Sequence, residues 1–436
     1  MEKKLHVGVG RSDITPEIGT ILAGYLPFRA SESIHDHLHL TVFAFGYGDT
    51  RAIVAAADLL LIREPQMTEV RTAMAEASGV PLDNIILNCI HTHSGPSMRN
   101  GDGYTIDPVY YENVFLAGAK KAARDAVSAL RPALMGVGTT HSDVGVNRRE
   151  IAPNGEILLG QDPNGTYDPT MTVISFREPD GKAIGNMIHY GAHNTASGKN
   201  TEITRDWCGV MIDRLEAESG GITAFFNGCE GDCGPRLTNG GTTGNLQYAM
   251  ELGGVAAMDA VRAWRSITLW QKDADLRVLT GTVTLPRKPL MTMPEIEDRL
   301  RVIGDPDKLI GLEHVEYEWL LKRADAVREG VVLPTETVLT ENLVSVGPVA
   351  FFPFPFEIFS TVTLRLRKYS PFGHTLSLSN ANGSYVYFPS QDQICRGGYE
   401  VWMFSSMGLA PFADDAEQYY IHDGVELLKE LYGQES

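Results

Sequence analysis

Asn88-Cys89-Ile90-His91-Thr92-His93-Ser94-Gly95-Pro96 is the stretch of this chain richest in reactive side chains. It follows Asn84-Ile85-Ile86-Leu87, a β-branched, apolar run that reads as a buried strand. In an extended His-x-His both rings point to one side, because strand side chains repeat every second residue. Two imidazoles are therefore expected together at a strand's carboxyl end, where open α/β sheets place their sites. Other polar residues stand just past apolar runs: His193, Asp232, Glu357 and Tyr387. With the two histidines they form a nitrogen and oxygen donor set that suits a catalytic zinc ion, which needs a few protein ligands and an open position for water. Each also has a plain structural reading. His193 could cap a turn, Asp232 could close an Asx-turn, Glu357 could favour the start of a helix, and Tyr387 could be a half-buried core residue. His35-x-His37-x-His39 is a rival triplet, expected to turn His35 inward and leave the others solvated or structural. Ser94, Ser197 and Ser360 are conceivable nucleophiles, but none lies in a Gly-x-Ser-x-Gly elbow.

The elements that must position these residues alternate between strand and helix. Strands are expected at 40–47 and 52–57, as a hairpin about Gly48-Asp49-Thr50, and then at 133–140, 172–176, 183–189 and 222–226. More follow at 274–285, 343–346, 349–352 and 374–379. Helices are expected at 64–79, 108–130, 205–218, 244–265, from Glu357 to about 368, and at 413–432. Residues 145–170 read as a loop. Residues 292–330 read as a charged helical excursion over the core, broken at Gly304-Asp305-Pro306 and suited to a lid. No internal repeat stands out. The order predicts one α/β domain over 1–436, with mixed sheets flanked by helices.

Composition narrows the function classes. The 436 residues are 43% hydrophobic and 21% charged, with a formal net charge of −18. That acidity argues against nucleic acid and against an anionic membrane surface as partners, and leaves a small-molecule substrate. No apolar run approaches the ~20 residues of a membrane span, so no stable membrane insertion is expected. Met1-Glu2-Lys3-Lys4-Leu5-His6-Val7 has no apolar signal core, and the five cysteines are odd in number and scattered. Both point to a cytoplasmic protein with reduced thiols.

The order of motifs resembles the neutral/alkaline non-lysosomal ceramidase family of zinc amidases. Gly10-x-x-Asp13-Ile14-Thr15-Pro16, Ile34-His35, His91-Thr92-His93-Ser94-Gly95-Pro96, Asn147-Arg148 and Ala192-His193-Asn194-Thr195 look like its successive blocks. Gly231-Asp232-Cys233-Gly234-Pro235, Phe356-Glu357, Tyr387-Phe388-Pro389 and Gly398-Tyr399-Glu400 complete the series over residues 7–400. The resemblance implies the fold of that family's N-terminal catalytic domain, a zinc ion on His91, His193, Glu357 and Tyr387, and a substrate pocket containing His93, Arg148 and Tyr399. The chain departs from the family where Gly234 replaces a serine, Arg236 an asparagine and Phe356 a glycine. The expected activity is zinc-assisted hydrolysis of an amide, with His93 as general base and acid and with Tyr399 or Arg148 steadying the oxyanion. Two alternatives stay open: a small polar or carbohydrate-derived substrate at the same site, and a non-catalytic metal-binding protein.

Overall fold

Three stretches of the chain fold on one plan. In the computed structural model, which describes residues 4–101 and 104–434, each stretch makes three antiparallel strands, a helix, and a fourth strand that returns parallel to the third. A second helix then packs on the first strand of the same sheet. The first unit uses His6–Asp13, His39–Tyr47, Thr50–Ala57, the helix Gln66–Ser78, Ile85–Cys89 and the helix Ala117–Ser128. The second uses Leu134–His141, Thr170–Arg177, Ala183–Tyr190, the helix Trp207–Ser219, Ile222–Asn227 and the helix Leu246–Arg265. The third uses Leu276–Pro286, Glu336–Val346, Val349–Pro353, the helix Ser360–Tyr369, His374–Leu378 and the helix Ala416–Gly433. The architecture is α/β, with mixed sheets flanked by helices. It recurs three times although no repeat is visible in the sequence.

The central strands are buried on both faces, which is why they read as near-continuous apolar runs, whereas Leu276–Pro286 has exposed positions and alternates. Along Thr50–Ala57, Ile53, Ala55 and Ala57 face the helices, whereas Ala52, Val54 and Ala56 join a cluster shared by all three sheets. That shared cluster also takes Phe43, Met187, Phe225, Val344 and Phe351.

The parallel pairs end in step: Ala57 beside Cys89, Tyr190 beside Asn227, Pro353 beside Leu378. A closed ring of bonds joins the three returning strands at these ends. The Asn227 amide donates to Asn88 Oδ1 at 3.0 Å, Asn88 Nδ2 to the Ser379 carbonyl at 2.5 Å, and the Ser379 amide to the Asn227 carbonyl at 3.1 Å. All six strand ends therefore open onto one region.

Several expectations change. The segment read as a loop at 145–170 contains a hairpin, Gly145–Ile151 with Ile157–Asp162, extended by Cys233–Pro235. The 108–130 helix is interrupted by a π-helical turn at Tyr111–Leu116. Glu357 does not start a helix. It pairs with Tyr387 in a two-residue parallel strand contact, and the helix begins at Ser360. The excursion forms Met293–Ile303 and Leu312–Arg328, separated at Gly304, and docks on the helix Tyr399–Ser406. The five cysteines are free. Residues 1–3, part of the opening segment read above for a signal, lie outside the described residues. Among the described residues no helix is long and apolar enough to cross a membrane.

Candidate metal centre

His91 and His93 meet, but not by the pleat of a strand. The strand stops at Cys89, and His91 takes a left-handed backbone with φ +71°. Such a conformation costs a non-glycine residue about 1–2 kcal/mol. It is held by bonds from the His91 amide to the Leu59 carbonyl at 2.9 Å and from Nδ1 to the Leu60 carbonyl at 3.0 Å. The two rings lie 5.0 Å apart, edge to face. His193 enters from the second unit, where Asn194 bridges Thr92, and its Nδ1 donates to the Glu230 carbonyl at 2.7 Å. With both Nδ1 atoms committed to carbonyls, both Nε2 atoms keep a free lone pair.

The third unit supplies the oxygens. Glu357 Oε2 stands 3.4 Å from His91 Nε2 and 3.2 Å from His193 Nε2. The Tyr387 hydroxyl is 3.4 Å from His193 Nε2, brought there because Glu357 and Tyr387 are register partners. Burial opposes the charge on Glu357, yet His91, His193 and the Tyr387 hydroxyl outweigh it and hold the carboxyl below its usual range. Burial, then the nearby charge of Arg148, takes His193 down to about 3. Burial and the two other imidazoles push His93 well below its ordinary value, so its ring is neutral. Neither nitrogen of His93 has a partner among the described residues.

Arg148 approaches from the unexpected hairpin. Its guanidinium sits 5.2 Å above the Tyr387 ring, and its Nε donates to Glu400 Oε1 at 2.8 Å. Arg149 Nη1 takes the other oxygen of Glu400 at 2.7 Å. Arg148 Nη2 is buried without a well-directed bond among the described residues. Tyr399 lies against Tyr387 with ring centres 5.5 Å apart. The structure thus brings together the seven residues that the resemblance implied for the zinc and the pocket.

A model of the family described as "Neutral/alkaline non-lysosomal ceramidase, N-terminal" matches residues 5–247. The chain belongs to that family. Neutral ceramidase A of Dictyostelium discoideum is 27% identical over 263 residues, 54% of this chain and 36% of that protein. Neutral ceramidase of Pseudomonas aeruginosa is 24% identical over 251 residues, 53% of this chain and 37% of that protein. The matched stretch thus spans little more than a third of each relative. The crystal structure of the Pseudomonas neutral ceramidase superposes with a TM-score of 0.74 at 18% identity, over 98% of this chain and 74% of that one. A solved ceramidase complexed with C2 gives 0.74 at 18% identity, over 99% of this chain and 76% of the other.

The ceramidase-family fold here carries a histidine and glutamate cluster able to hold a metal ion. His91, His93 and His193 form one close triad of donors and His91, Glu230 and Glu357 another, each with its ligand atoms within 4.8 Å of one another. The free Nε2 lone pairs and the buried Glu357 Oε2, which receives no well-directed hydrogen bond, fit a divalent cation. Glu230 and Asn380 were missed in the sequence. Asn380 Nδ2 donates to Glu230 Oε1 at 2.8 Å and lies 3.2 Å from His91 Nδ1. Burial and then Glu357 hold the Glu230 carboxyl well above its usual range. The rule that selected His91, a polar residue shortly past a strand end, applies equally to both.

Asp232 is not part of the cluster. Its Oδ1 accepts from the Ser360 amide and hydroxyl, both at 2.7 Å, and so caps the third unit's crossover helix. Ser197 is bonded to Asp206, and Ser94 to Asn200, so neither is aimed at a histidine. The rival triplet is corrected as well. His35 is exposed rather than inward, His37 pairs with Asp13, and half-buried His39 faces Asp58.

Proposed function

We propose that this protein is a zinc-dependent hydrolase that cleaves an amide bond, with His91, His193, Glu357 and Tyr387 as zinc ligands. The observation that carries this reading is the convergence of two imidazole Nε2 atoms on Glu357 Oε2, with both Nδ1 atoms tied to backbone carbonyls. A zinc ion held there supplies a Lewis acid that polarises a carbonyl and lowers the pKa of water. His93, neutral and with both nitrogens uncommitted, accepts the proton of the attacking water and returns it to the departing amine. Arg148 Nη2 and the Tyr399 hydroxyl donate to the oxygen on which negative charge develops. Glu400 keeps the Arg148 guanidinium in place for that task.

A second reading keeps the chemistry and changes the substrate from a lipid amide to a small polar acyl compound. It is favoured by the buried polar atoms here that have no partner among the described residues: Arg148 Nη2, both His93 nitrogens and the Tyr25 hydroxyl. Gly234, in place of the family's serine, lies against the Arg148 stem: a Cβ there would sit 3.3 Å from Arg148 Cβ, so a serine would crowd that side chain. The free cysteines support a cytoplasmic place of work.

Elemental analysis of wild type and His91→Ala tests the centre. Wild type should hold about one zinc per chain, and the variant should hold none and be inactive. A variant that keeps both metal and activity would sink the assignment. Wild type should then be offered an N-acyl lipid and an N-acetylated sugar in parallel, which separates the two substrate readings.

A further inference from the structure

The loop over residues 19–31 is fastened directly onto the His-Thr-His-Ser-Gly-Pro turn. Leu22 bridges Pro96, and the Ala23 amide donates to the Gly95 carbonyl at 2.9 Å. Arg29 Nη2 donates to the His93 carbonyl at 2.7 Å, while its Nη1 reaches the Asn200 carbonyl at 2.9 Å. Gly24 makes the approach possible. It holds φ +94°, and a Cβ there would fall 2.2 Å from His93 Nδ1. The next residue, Tyr25, lays its ring on the His93 imidazole with centres 4.8 Å apart, under the guanidinium of Arg29.

The Tyr25 hydroxyl is shut off from solvent and has no hydrogen-bond partner among the described residues. Leaving a buried hydroxyl unpaired costs about 1–3 kcal/mol. Five anchoring contacts hold the loop that imposes this cost, so the group is not simply misplaced by slack. Burial keeps the hydroxyl protonated, with Asp206 acting in the same direction and the guanidiniums of Arg29 and Arg148, the latter in the proposed pocket, acting against it. A protonated, dry hydroxyl beside the proposed general base is a hydrogen-bond donor waiting for an acceptor.

We infer that Tyr25 is a substrate-contacting residue whose hydroxyl donates to an oxygen of the acyl compound held at the centre, with loop 19–31 as a fixed wall of the pocket. The inference rests on the hydrolase reading above. It also gives the substrate a character: the face turned to Tyr25 bears a carbonyl or hydroxyl oxygen rather than hydrocarbon.

The test uses zinc-loaded wild type and Tyr25→Phe, with acetohydroxamate as probe because it offers a carbonyl and a hydroxyl oxygen side by side to a metal. The variant should keep its zinc. Its melting temperature should be equal to wild type or higher, since an unpaired buried hydroxyl has been removed. Its affinity for acetohydroxamate by calorimetry should fall about fivefold to thirtyfold. Equal affinity in the two proteins would overturn the inference and leave the hydrolase reading standing. A lower melting temperature in the ligand-free variant would overturn it too, because the hydroxyl would then serve the fold. Wild type that holds no zinc, or holds zinc and does not bind the probe, would remove the hydrolase reading first and this inference with it.

Discussion

Glu400 answers two guanidiniums with one carboxylate, one oxygen each for Arg148 and Arg149. All three side chains are buried, so the carboxylate's charge is indispensable where its shape is not. Glu400→Gln keeps the shape and leaves two buried cations without a counter-charge. Its unfolding free energy in urea should fall by about 3–5 kcal/mol, and a loss below 1 kcal/mol would show that solvent reaches the pair. At this scale the sequence was legible where residue type alone limits the options. His-x-His is a short pattern, and His91-Thr92-His93 gained its weight from the other donors along the chain, His193, Glu357 and Tyr387. It was not legible where backbone conformation decides. Nothing in the letters says that His91 adopts a left-handed φ, nor that of two acids in Glu230-Gly231-Asp232 the first turns to the histidines and the second to a helix end.

Asp232 shows how elements are tied across units. It stands in the loop after the second unit's last strand and caps a helix of the third. Asp232→Ala should therefore cost about 1–2 kcal/mol, visible as a lower thermal midpoint, and Asp232→Asn should recover part of it. An alanine variant as stable as wild type would mean that Ser360 finds another acceptor. Elements whose own period carried the signal were readable, such as the alternating Leu276–Pro286 strand and the alanine-rich helix ending at Ser128. The hairpin Gly145–Ile151 and Ile157–Asp162 was not. Its Asn, Gly and Pro content is turn chemistry, and part of its pairing comes from Cys233–Pro235, far along the chain. Glu357 was placed at a helix start for the same reason, because its real partner, Tyr387, is thirty residues on.

For the whole molecule, most strands and helices were legible, but their threefold recurrence was not, because the three sheets share a plan of burial and no residues. Burial has its own cost within that plan. Glu341, deep in the third sheet, has its carboxyl pushed from 4.5 up to about 8 by burial, while the hydroxyl of Tyr420 donates to it and only partly offsets this. The folded chain thus keeps a proton that the unfolded chain gives up. The stability this lends is complete below the unfolded value and is lost as pH rises from 4.5 through about 8. Each tenfold change in proton affinity is worth about 1.4 kcal/mol. Glu341→Gln should therefore gain on wild type as pH rises, with the gap in denaturation midpoint wider at about pH 9 than at about pH 5. A gap that does not move with pH would contradict the assignment.

The candidate ligands are shared unevenly among the three units. His91 and His193 come from the first two, within the stretch that marks the family, whereas Glu357 and Tyr387 come from the third, beyond it. A relative whose chain stopped, or had drifted, after its second unit would still be recognised at once by its histidine motif and would keep the three clustered histidines, yet would lack the oxygens of Glu357 and Tyr387. Kinship and competence are written in different parts of such chains. On the proposed ligand set, the stretch that separates a working member from a retired one is the least conspicuous of all: a glutamate and a tyrosine that meet only because two very short strands lie side by side.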